Sequence, residues 1–385
     1  NCTKQVIKPA VTDIPHPVEP LVINIPKTAD EEAREKQKEK AIEIARNLPL
    51  NIKIGQMITC YPPSFEFVKK YQIGGVILNQ NFIRDLASTA QMIENYNKDA
   101  IIPLFFAIDQ EGGKVNRLKH IEGYKKTPSA KELGKSYSKK ELLAYAYRTA
   151  ATMRNMGINV NLAPSLDISS SENALMNVQE RSLGSNLITV KKQTETLIDG
   201  YRAGGVLCFA KHYPGYGDVR INSDVTVAHY NFPAIRMIEN LNLFLALSHK
   251  IDGIIMSSVI YTDFDSVPAL FSKSIIDLIR FSNPDILVMT DDLYAPALRI
   301  LENEDLSVIA AKTFYAGNDI LLILWDIKAL ILMDAIEKII TAHPEMEEQV
   351  NHSVTRILLA KNRIYPGLID TLYASLKTTD ETPPE

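Results

Sequence analysis

The sequence predicts an α/β fold, a single-domain (β/α)8 barrel, from two observations. Eight short apolar runs alternate with longer segments of helical pattern, which indicates a parallel sheet, and eight parallel strands are the number that closes a barrel. The runs lie at 54–60, 74–79, 102–109, 158–168, 205–212, 253–261, 285–292 and 319–324. An open doubly wound sheet is the alternative, but no GxGxxG follows the first run, which weakens it.

The segments between these runs carry helix stop signals. KKELLAYAYRTAATMRNMG ends at Gly157, and ITVKKQTETLIDGYRAGG ends at Gly204 and Gly205, and glycine is common just past a helix. DILLILWDIKALILMDAI, from Asp319, is the most apolar stretch, but two further aspartates and a lysine interrupt it. It therefore predicts a strand and an amphipathic helix, and no transmembrane segment is expected.

The two ends of the chain differ from the middle. Residues 1–28 hold five prolines and predict a linker, tether or surface strap. TADEEAREKQKEKAIEIARNL predicts a charged leading helix capped by Thr28 or Asp30. We assign residues 29–370 to the barrel domain, including this helix, and expect residues 371–385 to be a disordered polar tail.

Composition and cysteine usage exclude several function classes. The net charge of −4 gives no electrostatic basis for nucleic-acid binding. Three cysteines without regular spacing argue against a disulfide framework and a zinc site. Cys60 and Cys208 lie in apolar runs and are expected in the core. Cys2, ahead of the proline-rich stretch, is either a lipidated anchor or an incidental cysteine.

Polar residues collect where five of the runs end. They are Asp109, Asp167, Lys211 with His212, Ser257 with Ser258, and Asp291 with Asp292. Because the chemistry of a (β/α)8 barrel sits at the carboxyl ends of its strands, the repeated pattern predicts a shared polar pocket. No His/Cys cluster has metal-ligand spacing, and no GxSxG indicates a serine hydrolase.

A pocket of carboxylates and cationic donors suits a sugar. Hydrolysis of a glycosidic bond needs two groups: a nucleophile or base, and an acid that protonates the leaving oxygen. Retaining enzymes place two carboxyl groups about 5 Å apart, so that one attacks the anomeric carbon directly.

Four motifs and one short flanking stretch resemble family 3 glycoside hydrolases, most closely the one-domain bacterial β-N-acetylglucosaminidases. They are IDQEGGKVNRL (108–118), GINVNLAPSLDI (157–168) with ERSLG (180–184), AKHYPGYGD (210–218) and VMTDDL (288–293). The similarity covers about residues 50–340. It implies a (β/α)8 barrel, retaining chemistry, a carbohydrate substrate and no cofactor or metal.

The resemblance also assigns site residues. Asp291 matches the catalytic nucleophile. The expected substrate-binding residues are Asp109, Arg117, Arg181, Lys211 and His212. Lys211 and His212 could instead be a structural pair that orients neighbouring strand ends. We expect Asp292 to be a helix cap or turn residue and Asp167 to order the loop after the fourth strand.

The acid/base loop departs from the family pattern. The family branch carries Asp-Ser-His there, which aligns without a gap on Asn222, Ser223 and Asp224, and its usual histidine in PGHGD is Tyr216. Three outcomes are open. Asp224 is the acid/base, with its pKa raised, for example by burial. His229 takes the role with Asp224 or Asp218 as its partner, or the acid/base is lost.

The main hypothesis is a retaining exo-acting hydrolase that removes terminal β-linked N-acetylglucosamine from peptidoglycan-derived or other glycans. The alternatives are a catalytically impaired sugar-binding lipoprotein and a β-glycosidase or phosphorylase of different specificity. Cys2 and the proline-rich start predict an exported, membrane-anchored lipoprotein at the periplasm or cell surface, with a cytoplasmic location as the alternative.

Overall fold

The computed structural model describes residues 28–380 and has the predicted (β/α)8 architecture. The strands are β1 Ile58–Cys60, β2 Gly75–Ile77, β3 Phe105–Ile108, β4 Val160–Asn161, β5 Leu207–Tyr213, β6 Gly253–Met256, β7 Leu287–Met289 and β8 Leu321–Leu322. Neighbouring strands pair in parallel and in chain order from β1 to β7, and β1 also pairs with β8. Every strand residue is buried, because helices cover the outside of the sheet.

Backbone hydrogen bonds between β7 and the start of β8 complete the ring. The N–H of Asp319 donates to Val288 O at 2.8 Å, and the N–H of Thr290 donates to Ile320 O at 2.9 Å. The ring therefore has no free strand edge at this seam, and the carboxyl ends of all eight strands face one mouth.

Two helices precede β1 in the described residues, and at least one helix follows each strand. The helices are α1 Ala29–Asn47, α2 Leu50–Gln56, α3 Phe65–Tyr71, α4 Leu86–Asn97, α5 Ala130–Ser136, α6 Lys139–Asn155, α7 Leu175–Val178, α8 Leu187–Ala203, α9 Ala234–Leu247, α10 Lys273–Ser282, α11 Pro296–Leu301, α12 Leu306–Ala316, α13 Asp326–Ala342, α14 Glu347–Ile364 and α15 Leu368–Asp380. The glycine stop signals are confirmed: α6 and α8 end just before Gly157 and Gly205, which have φ of +82° and +81°.

The leading helix begins as its sequence predicts. Thr28 caps α1 through a capping box: its N–H donates to Glu31 Oε2 at 2.8 Å, and its Oγ1 accepts from the N–H of Glu31 at 3.3 Å. The charged residues of α1 face solvent for most of its length, and Ala41, Ile44 and Ala45 form its buried stripe.

The first predicted strand is shorter than its apolar run. Residues 54–56 of that run belong to α2, and only Ile58–Cys60 enter the sheet. The end of α2 is buried, and Gln56 donates to Gln72 O at 2.7 Å and accepts from the buried Lys361 at 2.7 Å. An apolar run without clear periodicity cannot distinguish a buried helix end from a strand.

The prediction of disorder from residue 371 is wrong up to residue 380, because α15 continues to Asp380. Contacts with α1 hold this polar helix in place: Lys40 Nζ lies 2.7 Å from Asp370 Oδ1, and Tyr373 Oη donates to Glu43 Oε2 at 3.0 Å. Residues 381–385 and the predicted strap at 1–27, with Cys2, lie outside the described residues.

Cys60 and Cys208 are free thiols in the core, as expected. Burial raises the pKa of Cys60 to about 12, so this thiol stays protonated. Within residues 28–380, no helix combines the length and apolarity that a bilayer crossing needs.

Candidate active site

A cavity of about 200 Å³ lies at the carboxyl ends of the barrel strands. Its polar lining is Asp109, Glu111, Arg117, Arg181, Lys211, His212, Tyr216, Asn222, Asp224 and Asp291. Its apolar lining is Val115, Leu162, Leu175, Met176, Ile255 and Leu322. The structure therefore brings together all five expected substrate-binding residues, the expected nucleophile and the first acid/base candidate.

Lys211, near the end of β5, is the centre of an ionic network in this cavity. Its Nζ donates to Asp109 Oδ1 at 2.5 Å and lies 2.7 Å from Glu111 Oε1. Desolvation opposes the charge of this buried lysine, but the two carboxylates outweigh it and raise the pKa of Lys211. Lys211 therefore remains a charged donor held in one place.

Glu111 is the buried partner of Arg181. The guanidinium donates from Nε to Oε2 and from Nη2 to Oε1, both at 2.9 Å, which is a bidentate arrangement. Burial works against ionisation of Glu111, but the charges of Arg181 and Lys211 prevail and hold its pKa far below the usual range. Burial likewise opposes the charge of Arg181, and Glu111 raises its pKa.

His212 is oriented by a fully buried carboxylate. Its Nδ1 lies 2.8 Å from Asp167 Oδ2, and its Nε2 lies 3.1 Å from Arg181 Nη2. Because an arginine can only donate, the Nε2 of His212 accepts, and the ring proton lies on Nδ1 and is donated to Asp167. The peptide bond between Lys211 and His212 is cis.

Asp167 does more than order its own loop. Its carboxylate also accepts from the N–H of Tyr216 at 2.7 Å and from Ser165 Oγ at 2.9 Å, while its carbonyl accepts from Ser182 Oγ at 2.8 Å. It thus connects the segment after β4 to the loop after β5.

Asp109 and Arg117 leave hydrogen-bonding groups facing the cavity. Arg117 Nη2 lies 3.9 Å from Asp109 Oδ2, which is too far for a direct hydrogen bond. No hydrogen bond from residues 28–380 reaches that oxygen, and both side chains are partly exposed. A carboxylate oxygen and a guanidinium in this state can bind neighbouring hydroxyl groups of a ligand.

Asp291 follows β7 and has a raised pKa. Burial and the negative charge of Asp224 raise the pKa of Asp291 to about 6, against the effects of the N–H of Asp292 and the charge of Lys211. The N–H of Asp292 donates to Asp291 Oδ1 at 2.9 Å. Asp292 itself accepts from the N–H groups of Tyr294 and Leu324 at 3.2 and 3.3 Å, so it is the turn residue that the sequence predicted.

The altered loop after β5 reaches the rim of the cavity. Tyr216 Oη donates to Ser223 Oγ at 2.7 Å and accepts from the N–H of Ser223 at 2.8 Å. Asp224, the next residue, is exposed, and its carbonyl accepts from the N–H of Ala297 in α11 at 3.2 Å. The structure therefore places Asp224 at the cavity without the burial that we suggested as one cause of a raised pKa.

His229 lies elsewhere. It is exposed, its backbone pairs with Ile260, and it does not line the cavity. Asp218, its suggested partner, accepts from the N–H groups of Ser170 and Ser171 at 2.7 and 2.8 Å. The structure thus brings neither residue to Asp291.

Three polar cavity residues had no assigned role in the sequence analysis: Glu111, Tyr216 and Asn222. A signal for Glu111 was present: it stands two positions after Asp109, and alternate residues of an extended segment point to the same side. Tyr216 was recognised only as a departure, because its partnership with Ser223 depends on how the loop folds. Among the described residues, no three His, Cys, Asp or Glu side chains are grouped as metal ligands.

Comparison with known proteins agrees with this geometry. Residues 50–360 match the model of the glycosyl hydrolase family 3 N terminal domain. The chain is 28% identical over 301 residues to a β-hexosaminidase of Idiomarina loihiensis, which covers 76% of this chain and 87% of that protein.

Two solved structures share the fold. One is a glycoside hydrolase family 3 β-N-acetylglucosaminidase from Paenibacillus sp., at 25% identity and a TM-score of 0.76, covering 84% of this chain and 63% of that one. The other is a β-N-acetylhexosaminidase from Beutenbergia cavernae, at 27% identity and a TM-score of 0.74, covering 82% and 99%. With the family motifs lining one cavity at the mouth of a (β/α)8 barrel, this chain belongs to glycosyl hydrolase family 3 and is a glycoside hydrolase.

Proposed function

We propose that this chain is a retaining exo-acting β-N-acetylhexosaminidase that removes terminal β-linked N-acetylglucosamine, with Asp291 as nucleophile and Asp224 as acid/base. One observation carries the assignment: Asp224 and Asp291 line the same cavity, and their carboxyl groups are near enough to interact, which is the two-carboxyl arrangement that a retaining mechanism needs. The names of the similar proteins, β-hexosaminidase and β-N-acetylglucosaminidase, support the sugar specificity.

The reaction proceeds in two displacements. The Asp291 carboxylate attacks the anomeric carbon while the bond to the leaving oxygen breaks and Asp224 gives that oxygen its proton. Asp224, now a carboxylate, takes a proton from water, and the oxygen of that water attacks the same carbon. The bond to Asp291 breaks, the sugar leaves with retained configuration, and both carboxyl groups regain their starting states.

The ionic network prepares the glycone site for this reaction. Lys211 Nζ lies 2.5 Å from Asp109 Oδ1, and the Nε2 of His212 is held by its contact with the Arg181 guanidinium. Donors and acceptors that are already oriented lose little entropy on binding a sugar, and they remain fixed as charge develops at the anomeric centre. Part of the cavity wall is apolar and favours binding of a terminal sugar. This part is formed by residues on or beside the barrel strands, Leu162, Ile255 and Leu322.

The natural source of the sugar and the location of the protein are further parts of the proposal. We place the substrate among peptidoglycan-derived glycans and the protein at the periplasm or cell surface, anchored through Cys2, with a cytoplasmic location as the alternative. Mass spectrometry of the N-terminal peptide from a membrane fraction tests the anchor, since lipidation of Cys2 adds the mass of acyl chains.

Activity with two substrates tests the mechanism. A 4-nitrophenyl β-N-acetylglucosaminide needs little help from an acid, whereas a β-linked N-acetylglucosamine disaccharide needs much. We expect Asp291→Ala to abolish cleavage of both. Asp224→Ala should lower kcat/KM for the disaccharide by roughly 10²–10⁴-fold and kcat/KM for the nitrophenyl substrate far less, because kcat/KM reports the first displacement, in which the nitrophenyl leaving group needs little acid.

His229→Ala is the matched control for this loop and should cleave both substrates like the wild type. A selective loss in His229→Ala would move the acid/base role to that histidine. If the wild type cleaves neither substrate while N-acetylglucosamine still raises its melting temperature, the protein is the sugar-binding alternative. Preference for another glycoside, or for phosphate over water as acceptor, would indicate the remaining alternatives.

A further inference from the structure

Tyr216 makes a reciprocal pair of hydrogen bonds with Ser223. Its hydroxyl donates to the Ser223 side chain at 2.7 Å and accepts from the Ser223 backbone at 2.8 Å. Ser223 is 1% exposed and Tyr216 is 3% exposed, so water does not compete for these bonds. The residue before Asp224 is therefore fixed by a side chain from seven positions earlier in the loop.

Tyr216 is itself held against the cavity wall. Its N–H donates to Asp167 Oδ1, the carboxylate that also orients His212, and its ring meets the His212 ring edge-on at 5.5 Å. Burial raises the pKa of Tyr216, so its hydroxyl keeps its proton and remains a donor. A continuous set of contacts thus runs from His212 to Ser223.

The Asp224 side chain has little else to fix it. Within residues 28–380, hydrogen bonds reach only its backbone: its N–H donates to Asn222 Oδ1 at 3.0 Å, and its carbonyl accepts from Ala297. The position of its carboxyl group at the cavity therefore follows from the backbone of the loop, and the buried anchor of that backbone is Ser223.

We propose that Tyr216 is a positioning residue for proton transfer, which holds the loop so that the Asp224 carboxyl group reaches the leaving oxygen. This inference rests on the proposed function, because it takes Asp224 as the acid/base. The inference also links the two positions at which the loop differs from the family pattern, Tyr216 and Asp224. Tyr216 stands where the family pattern has a histidine, and its hydroxyl binds the serine beside the residue that replaces the family's other histidine.

Removal of the tyrosine hydroxyl should have a selective effect. Tyr216→Phe leaves the backbone and side chain of Ser223 without their buried partner, and the loop then samples other positions. Because a displacement of about 1 Å can cost on the order of 10²-fold in rate, we expect kcat/KM for the disaccharide to fall roughly 10–100-fold. For the nitrophenyl substrate, which needs little acid assistance, kcat/KM should fall by only a small part of that.

The experiment measures the ratio of the two kcat/KM values in Tyr216→Phe, Ser223→Ala and Tyr213→Phe. Tyr213→Phe is the matched control, since its buried hydroxyl donates to Ile275 O at 3.0 Å, outside the cavity. Tyr213→Phe removes a buried tyrosine hydroxyl, as Tyr216→Phe does, and therefore accounts for the loss of stability that such a removal causes anywhere in the core. Ser223→Ala gives an independent measurement should Tyr216→Phe fail to fold.

Support for the proposal is a selective loss on the disaccharide in Tyr216→Phe and Ser223→Ala but not in Tyr213→Phe. If Asp224→Ala shows the selective loss while Tyr216→Phe and Ser223→Ala keep the wild-type ratio, the positioning role is overturned and the proposed function stands. If Asp224→Ala itself keeps the wild-type ratio, both assignments are overturned. Equal losses on both substrates in Tyr216→Phe would indicate a purely structural role and also overturn the inference.

Discussion

Arg181 and Glu111 form a two-point ion pair beneath the cavity, with both N···O distances at 2.9 Å. The same guanidinium reaches His212 Nε2 at 3.1 Å, and Lys211 binds the Glu111 carboxylate at 2.7 Å. Glu111 thus holds Arg181 and Lys211 directly and His212 through Arg181.

Glu111→Gln should therefore destabilise the protein by about 3–5 kcal/mol, because it removes the carboxylate partner of the buried Arg181 and leaves Lys211 with Asp109 alone. Urea unfolding at pH 7 measures this free energy. Glu132→Gln, an exposed glutamate in α5, is the control and should change stability by less than about 0.5 kcal/mol.

The effect of Glu111→Gln should depend on pH in one direction. The folded-state pKa of Glu111 is lowered, so its contribution is fully present above its unfolded pKa of about 4.3 and declines as the pH falls below that value. The gap in stability between wild type and Glu111→Gln should therefore narrow in acid. If Glu111→Gln lowers the free energy of unfolding at pH 7 by no more than Glu132→Gln does, the stabilising role of this ionic cluster is contradicted.

The pKa of about 6 at Asp291 predicts the acidic limb of the activity profile. The nucleophile must be ionised, so kcat/KM for the nitrophenyl substrate should fall below about pH 6 in the free enzyme. Asp224→Asn removes a negative charge that raises this pKa, so the limb should move to lower pH. His229→Ala should leave the limb in place, and a limb that stays in place in Asp224→Asn would show that the two carboxyl groups do not interact.

Gly215 begins the sharp part of the loop after β5 and cannot accept a side chain. Its φ is +126°, and an added Cβ would lie 2.3 Å from the Cβ of Asn240. Asn240 cannot yield, because its side chain accepts from the N–H of Ile168 and donates to Arg236 O, both at 3.0 Å. Gly215→Ala should cost about 3 kcal/mol or more, from backbone strain and overpacking together.

Gly123→Ala is the matched control for that change. Gly123 has φ of +83°, but nothing lies within 4 Å of its added Cβ. It therefore isolates the cost of the left-handed backbone, about 1–2 kcal/mol. Thermal unfolding of both variants measures the difference, and equal losses would mean that the contact with Asn240 contributes nothing.

Local patterns were enough to predict the fold. Apolar runs located all eight strands, and the glycines after α6 and α8 located helix ends, because both signals depend on a few neighbouring residues. The predictions of a strand at residues 54–56 and of disorder at residues 371–380 were wrong for one shared reason. The conformation of these residues is decided by packing against α13 and α14 in the first case and against α1 in the second, which no local pattern contains.

For the candidate site too, some features could be predicted from local sequence and others could not. The residues near the ends of β3, β5 and β7 were predictable because the barrel brings strand ends together. The distance between His229 and the cavity, the exposure of Asp224 and the bonds of Tyr216 depend on the path of one loop. Sequence motifs name the residues of such a loop but not its path.

The hydrogen bond from the N–H of Ala297 to the carbonyl of Asp224 joins the loop after β5 to the segment that follows Asp291. Ala297 lies in α11, which begins five residues after Asp291. A displacement of the loop at Asp224 would have to break this bond or move the segment that follows Asp291. Under the proposed mechanism, one backbone hydrogen bond therefore links the position of the acid/base to the position of the nucleophile.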